Sequence, residues 1–203
     1  MAFKNFKVET DADGIALVTW DIPGRSMNVL DETSTSELEE ILKQTTADAA
    51  VKGVVITSSK DAFCAGADLS MLEGMNKEYA KVLKEQGEVA ANQMLFDQSR
   101  RFSLVLRGIE TCGKPWAAAI NGLALGGGFE VTLSCHYRVA AENPKTRLGL
   151  PEVRLGIHPG FAGTVRLPPL VGDLSALDMM LTGRTVSARE AAGRASAMFS
   201  ATV

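Results

Sequence analysis

Residues 121–130, NGLALGGGFE, set three consecutive glycines, Gly126 to Gly128, just ahead of a carboxylate, Glu130. KPWAAAI before them reads as a strand, and GGGFEVTLSC reads as a helix whose first turn holds the glycines. The first N–H groups of a helix have no intrahelical partner, and the helix dipole places partial positive charge at that end. Such a turn can polarise a carbonyl or hold a phosphate. The plain alternative is close packing of the helix on the strand before it. FCAGADL (63–69) repeats the construction: a strand pattern, then small residues Ala65, Gly66 and Ala67, then Asp68 placed to cap a helix. Two such turns can present two N–H donors to one oxygen, the arrangement that stabilises a developing oxyanion.

Two carboxylates accompany these turns. Glu130 lies about one turn into its helix, where a side chain leans back towards the helix start. Glu152 follows Pro151 in the Gly- and Pro-rich stretch GLPEVRLGIHPG. Two carboxylates facing one polarised carbonyl can do acid–base work, and burial beside a like charge raises at least one pKa. Each also has an ordinary explanation: Glu130 as a complement to the helix dipole, Glu152 as a solvated loop residue.

Other chemistries are poorly supplied. The chain has no G-x-G-x-x-G, no GK[ST] after its glycines and no G-x-S-x-G. Its two histidines, His136 and His158, are too few for a well-provided triad or metal site and read as structural. Cys64, Cys112 and Cys135 are odd in number, widely spaced and flanked by apolar residues, so they read as core thiols in a reducing compartment. The net charge of −3 leaves no electrostatic footprint for nucleic acid. No apolar run is long enough to cross a bilayer and the N-terminus has no signal-peptide core, which reads as cytoplasmic.

The elements that must hold these residues alternate. NFKVET and GIALVTWDIP read as a hairpin around DADG, and residues 30–48 as a helix with an acidic start. VKGVVITS reads as a buried strand, followed by a loop entering a short helix. Residues 77–110 suit one long helix or two abutting ones, with an apolar stripe of Val82, Val89, Met94, Phe102, Val105, Leu106 and Ile109. YRVAA and TRLGL read as short strands, and GTVRLPPLVG and ALDMMLTG as helical pieces. SAREAAGRA carries a serine cap with glutamate at N3. The class is α/β in one domain. The chain stops on SAMFSATV soon after a helix begins, which reads as a truncation.

IPGRSMNVLD, VKGVVITSSKDAFCAGADL, KPWAAAINGLALGGGFEVTLSCHYRVA and RLGLPEVRLGIHPGFAGTVRLPPLVG, in that order, resemble the enoyl-CoA hydratase/isomerase (crotonase) superfamily over about residues 14–190. SMNVLD and GIHPGFAGTVRLPPLVG are most similar to the hydratase part of multifunctional fatty-acid oxidation α subunits. The resemblance implies a spiral of ββα units forming two roughly perpendicular sheets wrapped by helices. It implies that the N–H groups of Ala67 and Gly127 hold a thioester oxygen and that Glu130 and Glu152 are catalytic. It implies that Arg25, Ser26, Met27 and Ala65 line the CoA moiety. The substrate is then an acyl-CoA thioester, with CoA part of the substrate rather than a separate cofactor, and no metal. The activities implied are hydration of a 2-enoyl-CoA in β-oxidation, or Δ3-Δ2-enoyl-CoA isomerisation; a non-catalytic acyl-CoA-binding module is the reading from another class. A homo-oligomer, a trimer, or a place in a larger multifunctional complex is also implied. Three departures stand out: Ala162 where relatives carry glycine, a slightly longer AAENPKTR segment, and an end short of the family's C-terminal helices and of any dehydrogenase region.

Overall fold

The computed structural model describes residues 3–194 and 201–202. In chain order the elements are β1 (Phe6–Thr10), β2 (Ile15–Trp20), α1 (Glu32–Ala47), β3 (Gly53–Ser58), α2 (Leu69–Gln86), α3 (Glu88–Thr111), β4 (Trp116–Ile120), β5 (Ala124–Leu125), α4 (Gly127–Ser134), β6 (Tyr137–Ala140) and β7 (Leu148–Gly149). A 3₁₀ turn (Glu152–Leu155) follows, then α5 (Gly163–Arg166), α6 (Pro168–Val171), α7 (Asp173–Thr182), α8 (Ala188–Arg194) and β8 (Ala201–Thr202).

The main sheet has the order β1-β2-β3-β4-β6-β8. Only β1 and β2 pair antiparallel; the other neighbours are parallel. The hairpin turns because Asp11 Oδ1 accepts from the N–H groups of Asp13 (3.0 Å) and Ile15 (2.8 Å), the side-chain turn that aspartate favours. Alternate residues Ala16, Val18 and Trp20 of β2 and Trp116, Ala118 and Ile120 of β4 are buried. Leu38 and Ile41 of α1 and Val105, Leu106 and Ile109 of α3 join them in one core. Period-2 strand burial meeting period-3.6 helix burial is the pairing that closes such a layer.

A second, smaller ladder carries the site. β5 pairs with β7, and single bridges extend the row: Leu30 to Ala67, Cys64 to Ala124 and Leu148 to Val186. Its bonds include Leu30 N–H to Gly66 O (2.8 Å), Leu125 N–H to Cys64 O (3.0 Å) and Gly126 N–H to Gly149 O (3.0 Å). Asn28, fully buried, ties this ladder to the main sheet. It accepts from Ile22 N–H (3.0 Å) and donates to Trp20 O (3.0 Å), Ser58 Oγ (2.9 Å) and Phe63 O (3.2 Å). A buried amide with its donors and acceptor satisfied fixes one arrangement of the strands around it.

Most of the expected elements are present. The helix after FCAGADL is not short, however: α2 runs 18 residues and ends at Gly87, whose φ of 87° breaks it from α3. None of its residues is fully buried, because its apolar side (Met71, Leu72, Met75) borders a cavity instead of the core. The expected apolar stripe holds from Phe102 to Ile109 but fails at Val89, which is 85% exposed. Ser187 Oγ accepts from Glu190 N–H at 3.1 Å, as the cap pattern predicts. Among the described residues no helix is long and apolar enough to cross a membrane.

Candidate active site

The glycine triplet meets three separate demands. Gly126 sits at φ 53°, ψ −132°, a conformation that side chains exclude, and a Cβ there would come 3.2 Å from Glu152 Oε1. Gly127 is the first helical residue, with a Cβ position only 2.6 Å from Leu30 Cδ1. Gly128 packs on the neighbouring ladder: a Cβ would lie 2.6 Å from both Cβ and carbonyl O of Cys64. Packing therefore explains Gly127 and Gly128, and backbone conformation explains Gly126.

The FCAGADL turn lies alongside. The bridge at Leu30 uses Gly66 O and Asp68 N–H (2.8 Å each), so the N–H of Ala67 points the other way. Gly66, at φ 105°, faces Gly126: its Cα is 3.8 Å from the Cβ position there. Asp68 caps α2 through Ser70 N–H (2.9 Å) and pairs with Arg25 at 2.6 Å. Among the described residues the N–H groups of Ala67 and Gly127 have no protein acceptor. Two turns from different strands thus bring two unpaired donors to one wall.

Glu130 is fully buried on α4. Its Oε1 accepts from the backbone N–H of Phe161 (2.9 Å) and of Gly163 (2.7 Å), while its buried Oε2 has no protein partner. N–H groups two residues apart converging on one oxygen form an anion-binding backbone concavity. Ala162 between them takes φ 69°, the only positive φ of a non-glycine residue among those described. Gly163 must stay small, since a Cβ would sit 2.9 Å from Glu130 Oε1. Glu152 opens the 3₁₀ turn, is 9% exposed and also keeps an unpartnered buried oxygen, Oε2. Gly156, at φ 72°, closes that turn by returning its N–H to Glu152 O and Val153 O.

The two carboxyls are electrostatically unequal. Burial pushes Glu130 up, against the two N–H bonds and the charges of Arg166 and His158. Burial also pushes Glu152 up, to about 7, and the negative charge of Glu130 adds to the rise. Near neutrality Glu152 is therefore divided between its acid and base forms.

Glu130, Glu152, Ala65, Ala67, Gly127 and Arg25 all border one cavity of about 1210 Å3. Ser26 and Met27 do not: both are exposed outside its wall, because Asn28 immediately after them is drawn into the core. His136 is structural, its Nδ1 accepting from Trp116 N–H at 3.1 Å. His158 departs from expectation, since it is exposed at the cavity edge. Sequence reasoning missed the grip on Glu130. Backbone donors leave no residue-type signature, and the only local sign is the small pair Ala162–Gly163. Among the described residues no three His, Cys, Asp or Glu side chains are grouped to hold a metal ion.

The chain is similar to known proteins over most of its length. The fatty acid oxidation complex subunit alpha of Shewanella frigidimarina is 46% identical over 190 residues, which is 93% of this chain and 25% of that protein. That of Shewanella halifaxensis is 44% identical over the same share. The chain thus spans about a quarter of the length of the curated relatives it matches. The crystal structure of an enoyl-CoA hydratase from Bacillus anthracis superposes with a TM-score of 0.82 at 34% identity, covering 98% of this chain and 70% of that one. The family model described as enoyl-CoA hydratase/isomerase matches residues 10–195, nearly the whole of the described chain, and the chain belongs to that family and has its crotonase fold.

Proposed function

We propose that the chain hydrates the 2,3 double bond of a 2-enoyl-CoA thioester to give the 3-hydroxyacyl-CoA, as a step of fatty-acid β-oxidation. One observation carries the reading: two buried carboxylates, each with one unpartnered oxygen, share a cavity with two unpaired backbone N–H donors. The N–H groups of Ala67 and Gly127 hold the thioester oxygen. As water adds at C3, the electrons of the double bond move towards that oxygen, and fixed donors there lower the barrier. Glu130, whose carboxylate form is favoured by two N–H bonds, takes a proton from the water. Glu152, poised near neutrality, supplies a proton to C2. Solvent then resets both groups. The sum is water plus enoyl thioester, with no change of oxidation state, so CoA enters only as part of the substrate. Arg25 and Ala65, on the cavity wall, contact the CoA portion.

A second reading, Δ3-Δ2 isomerisation at the same site, is favoured by Glu152 alone, since a carboxyl titrating near 7 can both remove and return a proton. The names of the Shewanella relatives support a role within a larger fatty-acid oxidation assembly. Residues 1–203 would form the core of its hydratase domain, in a homo-oligomer or in such an assembly.

The test is loss of the conjugated enoyl-thioester absorbance with a short 2-enoyl-CoA, in the parent and in Glu130→Gln and Glu152→Gln. Turnover that falls by a factor on the order of 100 or more in both variants supports the two-carboxylate mechanism. Binding of the thioester by a folded parent with no product formed would reject it and leave an acyl-CoA-binding module.

A further inference from the structure

We propose that Arg166, braced by Glu110, is a positioning residue for Glu130: it holds the 161–163 turn in the shape that grips one carboxylate oxygen and leaves the other facing the cavity. The proposal rests on the reading of Glu130 as the group that activates water.

The contacts form a chain. Arg166 ends α5, and its side chain is 10% exposed. Its Nε donates to Glu110 Oε1 at 2.7 Å and its Nη2 to Glu110 Oε2 at 3.0 Å, a two-pronged pairing only arginine can make. Its third donor, Nη1, reaches the carbonyl oxygen of Phe161 at 2.7 Å. The N–H of that same residue donates to Glu130 Oε1. Arg166 therefore pulls on one side of residue 161 while Glu130 is held from the other.

The turn needs outside support. Ala162 is held at φ 69°, where an L side chain is rarely found, and α5 has only four residues, too few for a helix to sustain itself. Both supports come from α3, which Phe102, Val105, Leu106 and Ile109 seat in the core. Glu110 is one. Phe102 is the other, its ring edge-on to Phe161 with centroids 4.6 Å apart and planes at 80°. A 24-residue helix thus reaches Glu130 through the turn that grips its carboxylate.

The arrangement also sets charge. The charged and titratable groups acting on Glu130 are Glu152 from the 3₁₀ turn, His158 from the loop after it, and Arg166 with Glu110 behind it. Loosening the turn weakens the two N–H bonds that favour the carboxylate, so Glu130 should protonate at higher pH.

The experiment uses the 203-residue chain with 13C-labelled glutamate carboxyls, the Glu130 signal being assigned by its loss in Glu130→Gln. Arg166→Lys keeps the charge but cannot hold Glu110 and Phe161 together. Glu110→Gln keeps Arg166 and removes its charged brace. In both variants the titration midpoint of Glu130 should rise. The kcat for a short 2-enoyl-CoA should fall roughly ten- to a hundredfold, with its acid limb moved to higher pH. KM should stay within about twofold, because no substrate contact is removed. A folded Glu110→Gln with parental midpoint and kcat overturns the proposal, whether or not Arg166→Lys folds. A parent that hydrates nothing rejects the hydratase reading instead. The Glu130 midpoint then decides the positioning role alone: a rise upholds it and no change ends it.

Discussion

Gly128→Ala tests the packing account of the glycine triplet. The new methyl would lie 2.6 Å from Cβ and carbonyl O of Cys64 and 2.8 Å from its Sγ. Carbon contacts are most favourable at about 3.5–4.0 Å, so the overlap is roughly 1 Å. The carbonyl cannot yield cheaply, since it accepts the Leu125 N–H at 3.0 Å and so belongs to the ladder that carries the site. The Sγ cannot swing into space either, because Cys64 is fully buried. Overpacking of this kind costs about 1–3 kcal/mol or more, and a displaced ladder bond puts this case at the upper end. Alanine's helix propensity returns up to ~1 kcal/mol. The net expectation is a loss of about 2 kcal/mol, or roughly 4–8 °C in Tm for a chain of this size. Gly74, inside α2 with nothing within 4 Å of its Cβ position, is the control. Gly74→Ala should gain up to about 1 kcal/mol from propensity alone. Thermal and urea unfolding of both variants would decide the matter. A Gly128→Ala chain as stable as Gly74→Ala would mean that α4 does not press on Cys64, and the packing account would fail.

Glu152 couples activity to stability. Its pKa rises on folding from 4.5 to about 7, so the native state binds more protons than the unfolded chain in that window, and stability is lost as pH climbs through it. The loss should approach about 3 kcal/mol above neutrality, and urea unfolding should show Glu152→Gln gaining that much on the parent between about pH 4 and pH 8. The hydration rate should decline as pH rises through about 7, where Glu152 ceases to be an acid; a rate flat to pH 9 would refute that role. Ala162→Gly relieves a left-handed alanine, worth about 1–2 kcal/mol in the folded state, against about 0.5–1 kcal/mol of extra freedom in the unfolded one. Calorimetry should show a Tm equal to or a few degrees above the parent's.

What could be read from the residues, and what could not, divides along a physical line. Features written in side-chain types were legible: the two small-residue turns, the caps at Asp68 and Ser187, the core stripe from Phe102 to Ile109 and the meeting of Glu130 with Glu152 at one cavity. Features that depend on what lies across a gap were not. Val89 has the same apolar character as Val105, yet one is exposed and the other buried, because only the second reaches the core cluster. The length of α2 escaped notice because its apolar side answers to a cavity, so its pattern does not end where the core ends.

The same line runs through the site. In the sequence Glu130 and Glu152 are equivalent letters, and either could be acid or base. Their difference comes from backbone groups: Phe161 and Gly163, more than thirty residues from Glu130, spend two N–H bonds on one of its oxygens, and no such pair reaches Glu152. Burial alone would raise both carboxyls together and leave two reluctant acids. Burial with the grip on one side only separates them: burial raises both, but the two N–H bonds oppose the rise of Glu130, while its charge adds to the rise of Glu152, which reaches about 7. On the proposed mechanism, the division of labour between base and acid resides in the fold of a three-residue turn, with Ala162 at its strained centre, rather than in the identity of either glutamate.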